Sequence, residues 1–149
     1  MNLKERINQD MKEAMKSGNK LRLETIRSIR ALILEFEKSG TGKELTPDEE
    51  IKMVSTAVKK RKDSIEQFRN AGREELALKE EEEMNILLDY LPKQLSEDEI
   101  NTEVRRIADE SGFKGKEDFP RLMPMVMKEL KGKADGKQVR AAVENYLGK

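Results

Sequence analysis

"LPKQLSEDE", Leu91 to Glu99, is the stretch on which the reading of the fold turns. Pro92 has no N–H and biases Leu91 away from helical backbone, so a helix arriving from the N-terminal side stops here. Four residues on, Ser96 stands three positions before Glu99. At that spacing each side chain accepts from the other residue's backbone N–H, which satisfies two orphan donors at a helix start. One helix ends and another begins, and the chain divides into a helical domain over 1–92 and a second over 96–149. The linker near Pro92 to Ser96 is short, which limits but does not fix the relative orientation of the two parts.

Moving outward, the same punctuation recurs. Asn2 with Glu5, Thr46-Pro47 with Glu49, and Asp135 with Gln138 repeat the capping-box spacing. Stop signals stand at Gly18-Asn19, Gly40-Thr41-Gly42, Gly72, Leu91-Pro92, Gly112 and Gly132. Six or seven helices follow. Leu3, Ile7, Met11 and Ala14 share one face of the first, and Ile26, Ile29, Ile33 and Phe36 one face of the second. The third, from Pro47 to about Asn70, carries Ile51, Val54, Val58, Ile65 and Phe68. The fourth, roughly Glu74 to Leu91, closes with Met84, Leu87, Leu88 and Leu91. No segment alternates with period two over a useful length. The fold class is all-α and multihelical, an N-terminal helical bundle followed by a small three-helix C-terminal domain.

That C-terminal domain is expected to hold helices at about Glu97–Ser111, within Asp118–Leu130, and at Asp135–Leu147. Ile100, Val104 and Ile107, then Leu122, Val126 and Leu130, then Val139, Val143 and Tyr146 supply a small core. Pro124 is tolerated in a first helical turn and otherwise kinks the helix. Met123, Met125 and Met127 alternate, and flexible thioethers are read as core fillers in preference to a partner-helix groove.

Composition removes whole chemistries. Of 149 residues 40% are charged and 4% aromatic, with no histidine, cysteine or tryptophan. That leaves no thiol nucleophile, no Cys/His zinc site, no histidine base and no disulfide framework. "MNLKERINQDMKEAMK" has no apolar h-region, and nowhere do 18 apolar residues run together. A soluble, cytoplasmic protein with no membrane partner is expected. Net charge is zero, yet residues 1–73 carry +5, residues 74–110 carry −9 and residues 112–149 carry +4. Such asymmetry suits an anionic partner at either end, and equally lets the segments attract one another.

Two charged features need a reading. Arg61 falls in the apolar register of the third helix, and an ion pair with the fourth, at Glu80 to Glu83, is preferred to a ligand site. The run "KEEEE", Lys79 to Glu83, is read as a solvated acidic face, because consecutive carboxylates on a helix point in different directions and converge poorly on a cation. No metal and no cofactor are expected.

"KGKADGK", Lys131 to Lys137, falls between two helical patterns. Gly132 suits a left-handed C-cap, and Asp135 suits the next N-cap. A Walker-type phosphate loop needs a different spacing, a Ser or Thr and a preceding strand, all lacking here. The punctuation leaves the lysines unexplained. Lys128, Lys131, Lys133, Lys137 and Arg140 cluster around one helix-turn-helix, the kind of surface that contacts a nucleic-acid backbone.

"VKKRKDSIEQFRNAGREELALKEEEEMNILLDYLPKQLSEDEI", Val58 to Ile100, and "VMKELKGKADGKQVRAAVENYL", Val126 to Leu147, together resemble the GatB/YqeY family, most closely its small stand-alone YqeY-like proteins. The second segment also resembles the tail of the B subunit of glutamine-dependent aspartyl/glutamyl-tRNA amidotransferase. In that enzyme a separate glutaminase subunit frees ammonia and a catalytic cradle activates the misacylated tRNA, while helical and tail domains help recognise it. The resemblance implies the recognition parts without the cradle. By position Lys128, Lys131, Lys133 and Lys137 take on a tRNA-contact role, and no catalytic residue carries over. The expectation is a non-catalytic tRNA- or RNA-binding module. Two alternatives stay open: a protein-interaction adaptor, and an accessory part of a carbon–nitrogen ligase with glutamine as amido donor.

Overall fold

The structure is a computed structural model that describes residues 1–40 and 44–148. Every regular element among them is helical: α1 Leu3–Ser17, α2 Lys20–Lys38, α3 Pro47–Asn70, α4 Glu74–Leu88, α5 Glu97–Ser111, α6 Phe119–Glu129 and α7 Gly136–Leu147, with one 3₁₀ turn at Lys116–Asp118. The fold is all-α. Its compact units are Met1–Leu91 and Pro92–Lys149.

Caps fix where the helices begin. Ser96 and Glu99 form both halves of the capping box. At Asn2, Thr46 and Asp135 the structure shows the forward half, the side-chain oxygen accepting from the N–H three residues on. Gly18 and Asn19 do two tasks in two residues. Gly18 takes a left-handed φ of 71° that closes α1, and the Asn19 side chain accepts from the Arg22 N–H to open α2. The expected stop at Gly40-Thr41-Gly42 falls in part outside the described residues; α2 closes before it, at Lys38, where the Ser39 N–H donates to the Phe36 carbonyl.

In the Met1–Leu91 unit α1 lies along α2, α3 along α4, and α2 also meets α4, while α2 and α3 barely touch. The apolar stripes meet in one core that includes Leu3, Ile7, Ile26, Ile29, Ile33, Val54, Val58 and Leu87. α4 ends at Leu88 rather than Leu91. The Tyr90 and Leu91 N–H groups bond to the Leu87 and Leu88 carbonyls, so the last turn tightens ahead of Pro92. The tightening drops Tyr90 into the core, with its hydroxyl donating to Asp10 and Arg6 lying 4.8 Å over its ring. Burial first, and then the Asp10 carboxylate, push the Tyr90 phenol well above its ordinary pKa.

Arg61 does pair with α4, 3.5 Å from Glu83 and 3.8 Å from Glu80. Glu81 instead reaches Arg69 at 2.6 Å, so neighbouring carboxylates of "KEEEE" diverge onto different partners.

In the Pro92–Lys149 unit α5, α6 and α7 pack pairwise around Ile100, Val104, Leu122, Val126, Val139 and Val143. Pro120 falls in the first turn of α6, but Pro124 lies inside the helix. Both prolines are exposed, and Pro124 withholds one hydrogen bond from the helix. The methionines divide. Met123 packs on the core, whereas Met125 and Met127 point outward, 41% and 39% exposed. Positions two apart on a helix differ by roughly 200°, which turns Met125 away from Met123; Met127, about 40° from Met123, lies at the edge of that face near Gly136.

A basic turn as candidate nucleic-acid interface

The turn that carries the lysines is built from the ends of two helices. α6 closes over the buried Leu130, whose N–H donates to the Val126 carbonyl; the Lys133 N–H then donates to the Leu130 carbonyl at 2.9 Å. Gly132 makes this possible with a φ of 78°, a conformation costly for residues with a Cβ. Two residues later Asp135 is extended and accepts from the Gln138 N–H at 2.8 Å, which starts α7. Both assignments read from "KGKADGK" hold: Gly132 has the left-handed backbone and Asp135 is the N-cap.

A second fastening comes from the linker. The Gln94 Nε2 donates to the Gly132 carbonyl at 2.6 Å and to the Pro92 carbonyl at 2.9 Å, and the Leu95 N–H donates to the Lys133 carbonyl at 2.9 Å. The turn is held from behind by residues that precede α5. Sequence spacing gives no sign of this contact, because its two halves are 38 positions apart.

Around this backbone Lys128, Lys131, Lys133 and Lys137 are all exposed. Lys128 lies in the last turn of α6, Lys131 and Lys133 follow in the turn itself, and Lys137 and Arg140 are one helical turn apart on α7. Among the nearby acids Glu129 pairs with Arg106 of α5, and Glu144 accepts from Arg140 at 2.9 Å. Arg140 is therefore tied to its own helix, and its guanidinium also lies 5.8 Å from the centre of the Phe119 ring. The four lysines, with the positive end of the α7 dipole, form a cationic surface. Among the described residues no cluster of three or more Asp, Glu, His or Cys is arranged to hold a metal ion.

A neighbouring feature escaped the sequence. Asp118, expected only as the edge of a helix, is buried and accepts from the Lys114 and Gly115 N–H groups at 2.9 and 3.2 Å while pairing with Arg121. Those donors hold its carboxyl below the usual range, the two backbone N–H groups first. Nothing short of the folded loop brings them together.

The family model for Yqey-like proteins matches residues 4–147. The chain belongs to the YqeY-like family. Among similar proteins, one from Pyrenophora tritici-repentis called altered inheritance of mitochondria protein 41, mitochondrial, is 36% identical over 148 residues, covering 96% of this chain and 80% of that protein. Proteins of the same name from Lachancea thermotolerans and Saccharomyces cerevisiae are 34% and 31% identical, covering 70% and 87% of the YqeY-like chain and 57% and 69% of the relatives.

These names correct one expectation. A cytoplasmic location was inferred from the missing apolar runs, whereas the relatives are named as mitochondrial. No helix among the described residues is long and apolar enough to cross a membrane. That bears on spanning, and an apolar h-region bears on secretion; neither separates cytosol from organelle.

Proposed function

We propose that the Pro92–Lys149 unit of this YqeY-like protein binds tRNA through the phosphate backbone around the Lys131–Lys137 turn, and that it carries no chemistry of its own. The observation that supports this reading is the set of four exposed lysines, Lys128, Lys131, Lys133 and Lys137, on a turn fastened by its own caps and by Gln94 and Leu95. Phosphate contacts position a protein on a nucleic acid without reading bases, and point-charge ammonium groups suffice for them. The resemblance of Val126 to Leu147 to the amidotransferase tail supports tRNA as the nucleic acid. Under this reading any part in carbon–nitrogen ligation is accessory, and the pure chain has no glutaminase activity.

The test is a titration of labelled total tRNA at several salt concentrations. Log affinity should fall against log salt with a slope of about −0.7 to −0.9 for each phosphate neutralised. The variant K131E/K133E/K137E should lose binding. Unchanged affinity in that variant removes the turn from the interface, and no binding at low salt ends the reading.

Met125 favours a second reading, a protein-docking module, because an adaptable thioether exposed on α6 suits a partner helix. The variant M125E separates the two: loss of a co-purifying protein with tRNA affinity intact supports docking on α6.

A further inference from the structure

α2 and α3 are consecutive in the chain and barely touch, and between them runs a groove of about 590 Å³. That volume lies within the usual span of small-molecule sites. Its apolar lining comes from Leu32 and Phe36 of α2, Leu45, and Met53 and Ala57 of α3. An adjoining cleft brings Ile33 and Glu37 of α2 together with Leu45 and Glu50, so the C-terminal end of α2 lies beside the start of α3. Phe36 and Glu49 thus mark one end of the groove, and Ser28, Lys60 and Arg61 mark the other.

Polar and charged side chains interrupt this lining. Ser28 and Thr56 line the groove, but their hydroxyls donate to the carbonyls of Thr25 and Lys52 on their own helices. The donors left for a polar ligand are cationic: the exposed Lys52 and Lys60, and the half-buried Arg61, whose enclosed Nε makes no hydrogen bond. Glu80 and Glu83 stand at ion-pair distance from that Nε, so the exposed Lys60 is the more open donor at this end. At the opposite end Glu49 has an enclosed Oε2 with no donor, and it repels an anion.

We propose that this groove binds a medium-chain aliphatic carboxylate, its head group at Lys60 and Arg61 and its chain along Leu32, Ala57 and Met53. From Lys60 back to Met53 the helix rises about 10 Å, which takes a chain of roughly eight to ten carbons. The groove lies wholly within the Met1–Leu91 unit, so its occupancy and tRNA binding by the other unit stand or fall separately.

The experiment titrates the full chain with decanoate below its micellar concentration, beside octanoate and decanol, by calorimetry and by NMR of the Met53 and Ala57 methyl groups. Decanoate should saturate and move both signals. Octanoate, with two fewer buried methylenes, should bind roughly tenfold more weakly. Lys60→Glu should weaken decanoate roughly tenfold and leave decanol unchanged, Thr56→Trp at the exposed rim should block both, and Lys59→Glu, outside the groove, should change neither. Decanol binding as tightly as decanoate overturns the head-group assignment. Stationary Met53 and Ala57 signals, or no saturation, overturn the site. An acidic amphipathic peptide that moves these signals where decanoate does not replaces the small ligand with a docked helix.

Discussion

Asp118 shows what one side chain contributes to the C-terminal unit. Its carboxylate accepts from two backbone N–H groups and meets Arg121, and its folded pKa lies below the unfolded value. A depressed carboxyl contributes stability that is complete above the unfolded pKa and is lost as pH falls through the folded one. Acid should therefore loosen the loop at Lys114 and Gly115, and Asp118→Asn should flatten that arm of an acid titration followed by the amide signals of these two residues. An unchanged acid profile in the variant would sink the assignment. Gly132, at a φ of 78°, makes a sharper prediction: Gly132→Ala should destabilise the unit by about 1 kcal/mol, read from its denaturation midpoint. The glycine was legible in the sequence because it stands between two apolar periodicities. Asp118 was not, since an aspartate before a proline-containing helix reads as an ordinary start, and its two donors belong to a loop without a pattern.

At the scale of elements, the α3 and α4 pair sets opposing terms against each other. Burial first, then Glu80, raises the Glu83 carboxyl, with Arg61 pulling the other way. A carboxyl raised on folding contributes stability that is full below its unfolded pKa and declines as pH rises through the folded value. Glu83→Gln should thus raise the thermal midpoint of the Met1–Leu91 unit at neutral pH, and a lowered midpoint would mean that the Arg61 attraction dominates. Leu87, fully buried in the same pair, should cost about 2–5 kcal/mol on replacement by alanine, measured by denaturant unfolding. The helices themselves were legible, because three-four apolar spacing and caps act locally. The Arg61 partner was legible too, from its place in an apolar register opposite an acidic run. What periodicity left out was how α4 stops: Tyr90 lies beyond the helical pattern, and only the tightened turn brings it inside.

For the whole molecule, the two units have separate cores, one drawing on α1 to α4 and the other on α5 to α7. Leu122→Ala should cost the Pro92–Lys149 unit about 2–5 kcal/mol while amide protection in α1 to α4 stays as it was. Loss of protection in both units would show that they unfold as one. The candidate interface was half legible at this scale: exposed lysines on a glycine turn announce themselves, but Gln94 and Leu95, which hold that turn, lie 38 positions away with no motif of their own. Their hydrogen bonds also set the size of the portable piece. A synthetic peptide cut from Val126 to Leu147 carries every lysine yet leaves behind the donors to the Gly132 and Lys133 carbonyls. Grafting the turn onto another scaffold means starting the transplant at Pro92.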